Sequence, residues 1–128
     1  MMRLVVALCA VGICVGGFAL STQGQEKKDE EKVTIKQVMQ KAHKAGLLKD
    51  LVVKGDATDE QKAELLKLYK GLAANKPPKG DAESWKTKTK ALVDAAQAAV
   101  DGKDNAVQLL TKASNCKACH DAHKPPAQ

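Results

Sequence analysis

The sequence predicts an all-α domain folded as an antiparallel four-helix bundle, and three observations carry that prediction. Past residue 32 every periodic apolar segment repeats near 3.6 residues, and none alternates with the period of two that a half-buried strand needs. Four such segments are separated by breaks that carry Gly, Asp or Pro. Those breaks are short, which makes consecutive helices antiparallel neighbours. A chain of 128 residues has room for one domain.

The first stretch is an address rather than part of the bundle. Met1-Met2-Arg3 is a short positive start, Leu4 to Leu20 is an uncharged apolar run, and the chain turns polar at Gln25. That layout is a secretory signal peptide over residues 1–21. Ala19 and Ser21 favour cleavage between residues 21 and 22; Thr22 and Gly24 offer a second site between 24 and 25. An uncleaved anchor is the competing reading, and the run is at the short end for a spanning helix. Cleavage discards Cys9, Cys14 and Phe18 and leaves no membrane attachment. Residues 22–32 read as a flexible, charged leader, 33–124 as the helical domain and 125–128 as a tail.

Helix A is expected from Thr34 to about Leu51, with Ile35, Val38, Met39, Ala42 and Gly46 on one face; Gly55-Asp56 ends it. Helix B runs from Thr58 to about Ala74. Thr58 and Gln61 form a capping box, and Leu65, Leu68, Tyr69 and Leu72 make its stripe. Tyr69 reads as core-facing with its hydroxyl at the rim. Asn75-Lys-Pro-Pro-Lys-Gly80 is a firm stop. Helix C runs from about Asp81 to Val100, capped by Asp81 or Ser84, with Trp85, Leu92, Ala95, Ala96 and Ala99 inward. Helix D runs from about Asp104 to Ala122. Ala106, Leu109, Leu110, Ala113, Cys116 and His120 share its face, and Pro125-Pro126 ends it.

Composition narrows the function. The net charge is +6, yet Arg3 is the only arginine and aromatic residues make up 2% of the chain. A nucleic-acid reader uses arginine forks and stacking aromatics, so that class is excluded. Lysines interleaved with acids read as a solvated helical surface that can still steer an acidic partner. The aromatic shortage means that Ala, Val and Leu fill the core, or that something other than protein does.

The chemistry is in Cys116-Lys117-Ala118-Cys119-His120, a C-x-x-C-H motif. Two thiols at i and i+3 can each add to one vinyl group of a haem, and the imidazole at i+4 projects on the same side, toward the iron. The motif therefore predicts one covalently bound haem c per chain, with Cys116 and Cys119 as attachment points and His120 as axial ligand. Three other chemistries use the same residues. A structural zinc site needs a fourth ligand, for which His43 or His123 would serve. A thioredoxin-like pair needs a preceding strand, which is missing from the pattern. A disulfide at i, i+3 on a helix has poor geometry.

A C-x-x-C-H motif near the C-terminus of the fourth helix resembles the cytochrome c′/c556 family, the class II c-type cytochromes. Asn115–Lys124 carries most of the resemblance, supported by Lys36-Gln-Val-Met-Gln-Lys41 and by Trp85 opening helix C after a Pro/Gly loop. The likeness spans about Val33 to Lys124. Two departures stand out: His123 lies where the family usually has an aromatic residue, and the domain has no arginine.

The resemblance implies a periplasmic haem protein whose sixth iron position is either a methionine from helix A or open. Met39 matches the family's methionine and lies about 40° from Ile35 around helix A. His43 lies about 80° from Ile35 and is the other available ligand. An open site is the third possibility, and core filler is the plain alternative for Met39. Ile35, Val38, Ala42, Trp85 and Lys124 are expected as haem neighbours. His123, next to the proximal turn, is expected at the surface or on the propionate side. With His120 and Met39 both on the iron, the expected activity is single-electron transfer between periplasmic redox partners rather than enzymatic catalysis. With an open site it is NO or CO binding. The chain is expected as a monomer or homodimer whose basic surface can steer an acidic redox partner.

Overall fold

The first helix opens on a capping box. Thr34 Oγ1 accepts from the Gln37 amide while the Gln37 side chain accepts from the Thr34 amide. In this computed structural model, which describes residues 32–126, that box starts α1, Ile35–Val38. A π-helical turn, Met39–His43, continues it. The chain then bends through Gly46, at φ 78°, and resumes as α2, Leu48–Lys54. Helix A is thus interrupted, where the sequence led us to expect one helix. Gly46 is exposed rather than part of an apolar face, and its left-handed conformation is one that a helix interior does not use.

Gly55 closes α2 at φ 81°. The Asp56 amide reaches the Leu51 carbonyl at 2.9 Å and the Gly55 amide reaches Val52 at 3.2 Å, the paired bonds of a Schellman close. Next is α3, Asp59–Ala74, with the expected box between Thr58 and Gln61. Asp81 caps α4, Ala82–Val100, by accepting from the Ser84 amide. The same Schellman pattern ends α4, with Lys103 to Ala98 at 2.9 Å and Gly102 to Ala99 at 3.3 Å.

The last expected helix is also two. α5 covers Ala106–Ala113 and α6 covers Cys116–His123. The Asn115 side chain accepts from the Ala118 amide and caps α6 as a separate helix. An Asn ahead of the first cysteine was the sequence signal for that restart.

Among the described residues the fold is all-helical, a helical bundle, and no helix is long and apolar enough to cross a membrane. The expected signal peptide, its cleavage sites and most of the expected leader lie outside the described residues, as does the end of the tail.

α3 packs on α4, α4 on α5, and α2 touches both α3 and α5. The expected stripes of helices B and C are all buried, joined by Val38, Ala42, Leu48, Val52, Ala98, Ala106 and Leu110. The core is therefore aliphatic and alanine-rich, with Tyr69 and Trp85 as its two aromatics. Leu109 is 39% exposed, contrary to its expected inward place. The break before Asn115 removes the need for one face to serve both α5 and α6.

Candidate functional site

Helix α6 carries the motif almost entirely on the outside of the protein fold. Cys116 and His120 are exposed and Cys119 is half-buried. Both cysteines are free thiols. Burial raises the Cys119 thiol above its ordinary pKa, so it stays protonated at neutral pH and is not a poised thiolate.

Cys116, Cys119 and His120 border one cleft of about 460 Å³, within the usual range for small-molecule and cofactor pockets. Ile35, Met39, His43 and Lys44 also line it, from α1 and the π-helical turn. Leu72 of α3, and Trp85 and Leu92 of α4, add apolar lining, while His123 and Lys124 stand at the end of α6. Of the expected haem neighbours, Ile35, Trp85 and Lys124 are on this cleft. Val38 and Ala42 are not: both are 0% exposed and sit in the core behind it.

The π-helical turn begins at Met39 and ends at His43, and both residues line the cleft. Such turns recur at functional sites because they re-aim side chains within a helix. The His43 Nε2 is buried and has no hydrogen-bond partner. Desolvation, with a contribution from nearby Lys49, lowers the His43 pKa from 6.5 to about 4. Its imidazole is therefore neutral near pH 7, the state in which imidazole binds metals. The Tyr69 hydroxyl is also buried without a partner, not at the rim as expected.

His123 is the residue that sequence reasoning placed least well. It is 2% exposed, not a surface histidine. Its Nδ1 is 3.0 Å from the Lys79 carbonyl and its Nε2 is 3.2 Å from Ser84 Oγ. Its ring meets Trp85 edge-on with centroids 5.3 Å apart. Trp85 in turn donates from Nε1 to the Asn75 carbonyl at 2.8 Å.

The donor set fits a c-type haem. Two free thiols and an imidazole from one helical turn border an apolar cleft that also holds a thioether and an unpartnered, neutral imidazole nitrogen. A bare metal ion fits less well: among the described residues no three His, Cys, Asp or Glu side chains gather into a group able to hold one. No family model, no curated protein and no solved structure matches this chain.

Proposed function

We propose that this chain is a periplasmic c-type haem protein that carries single electrons between redox partners. What supports the reading is one observation: Cys116, Cys119 and His120 border the same apolar cleft as Met39 and His43. In this reading Cys116 and Cys119 would hold the haem covalently, His120 and Met39 would bind its iron, and the helices would form an antiparallel bundle. When bound, the haem supplies the one-electron change of its iron.

The chain's own residues do the rest. Ile35, Leu72, Trp85 and Leu92 line the cleft with apolar surface and exclude water from it. Lys44 and Lys124 at its border offer positive charge to an acidic partner. The reading assigns no catalytic residue. A second choice for the second ligand is His43, favoured by its buried, unpartnered Nε2.

The test is production of the full precursor in a host with haem-attachment machinery, followed by optical spectra of the reduced protein with and without CO. The expected result is covalent haem and a low-spin spectrum that CO leaves unchanged. A high-spin spectrum that shifts at once with CO would replace the carrier by an NO- or CO-binding protein. A colourless protein would overturn both and return the motif to a zinc clip. Met39→Ala is expected to turn the protein high-spin; an unchanged low-spin spectrum would assign the iron to His43.

A further inference from the structure

Helix α6 is eight residues long and is separated from α5 by Ser114 and Asn115, so its own helical stability is marginal. Its position depends on what it packs against. His123 is its one buried residue. The ring reaches two other parts of the chain at once. The Lys79 carbonyl can only accept, so Nδ1 carries the proton and donates to it at 3.0 Å. Nε2 pairs with the Ser84 hydroxyl at 3.2 Å, and Trp85 covers the ring edge-on.

The loop is shaped for this approach. Gly80 has φ 83°, and a Cβ there would collide with the Ala122 carbonyl oxygen and lie 3.2 Å from His123 Nδ1. Loop and helix end are therefore in close contact, with no room for a side chain between them.

We propose that His123 is a positioning residue for the axial His120. Its two ring nitrogens fasten the end of α6 to the α3–α4 loop and to the first turn of α4. The haem-bearing turn thereby keeps one register across the cleft from Met39 and His43. This rests on the haem reading above. Both ring nitrogens of His123 are engaged by Lys79 and Ser84, so it acts through the helix it shares with His120 and not as a ligand itself.

Three variants test it in the haem-bearing protein: His123→Phe, His123→Asn and Ser84→Ala. Phe keeps the aromatic contact with Trp85 and loses both hydrogen bonds. Asn keeps a donor near the Nδ1 position for the Lys79 carbonyl. Ser84→Ala removes the Nε2 partner alone. The readouts are covalent haem per chain, spin state, and the apparent affinity of the oxidised protein for added imidazole, which competes with Met39 for the iron.

The expected result is that His123→Phe keeps its haem and changes the apparent affinity of the oxidised protein for added imidazole at least fivefold. Ser84→Ala changes it in the same direction by less, and His123→Asn returns most of the way to wild type. Wild-type spectra and imidazole affinity in His123→Phe, with only the melting temperature moved, would reduce His123 to a packing residue and overturn the proposal. Should His123→Phe not accumulate, Ser84→Ala decides in its place: a changed affinity supports the proposal and an unchanged one overturns it. A wild-type protein without covalent haem overturns the functional reading itself, an outcome distinct from insensitive variants of a haem-bearing wild type.

Discussion

The His43 ring lies 5.5 Å from the Tyr69 ring, tilted by 37°, and the buried polar tip of neither side chain has a hydrogen-bond partner. Two unsatisfied groups side by side are costly in a core of this size. They have different consequences, because one borders the cleft and the other is sealed behind it.

Tyr69→Phe removes a buried hydroxyl that nothing satisfies. Urea denaturation is expected to show the variant as stable as wild type, or more stable by about 1 kcal/mol. A clear loss of stability would mean that the hydroxyl finds a partner once the cleft is filled.

His43 gives stability a pH dependence in a haem-free chain, made with Cys116→Ala and Cys119→Ala. Its pKa is about 4 when folded and 6.5 when exposed. Between those values the unfolded chain binds more protons, so stability falls as pH drops from 6.5 toward 4 and is fully present above 6.5. The expected loss from this group is on the order of 3 kcal/mol. Proton NMR should show a His43 midpoint near 4, and His43→Gln should flatten the stability profile over that window.

Gly80 and Gly55 share a left-handed backbone but not their surroundings. Nothing lies within 4 Å of a Cβ built on Gly55, whereas one on Gly80 meets the backbone of Ala122. Gly55→Ala is expected to cost about 1 kcal/mol from backbone strain alone. Gly80→Ala is expected to cost about 2–3 kcal/mol, because the collision adds to that strain. Paired denaturation curves measure the difference, and equal losses would show that loop and α6 are not in contact.

Asn75 ties the start of the described chain to the α3–α4 corner. Its Nδ2 donates to the carbonyls of Val33 and Gly71, each at 2.7 Å. Asn75→Ala is expected to cost about 1–2 kcal/mol and to speed amide exchange in α1. Asn75→Asp should be no better, since a carboxylate cannot donate to either carbonyl.

The two long helices, their stripes and their caps were legible because each depends on neighbours within a turn or two. Thr58 with Gln61, Asp81, and the 3.6 spacing of Leu65, Leu68, Tyr69 and Leu72 act through local hydrogen bonds and a repeating angle. The C-x-x-C-H group is local in the same way: its two thiols and imidazole share one turn wherever that turn sits. Gly46 and Asn115 carried signals for the two breaks, but a continuous apolar pattern on either side outweighed them.

By itself, then, the sequence determined that the described residues are all-helical, two of the helices nearly end to end, and that a chemically specific turn lies at residues 116–120. Tertiary structure decided which of the expected neighbours share a cleft with that turn. Met39 and His43, at the two ends of a π-helical turn, line it, and Val38 and Ala42 go to the core behind it. It also buried His123, expected at the surface or on the propionate side, through Lys79 and Ser84, which lie 44 and 39 residues away in sequence. The physical reason is separation along the chain. Periodicity and capping report energies settled within a few residues, whereas the fate of a buried polar ring depends on partners that only the packed bundle brings to it.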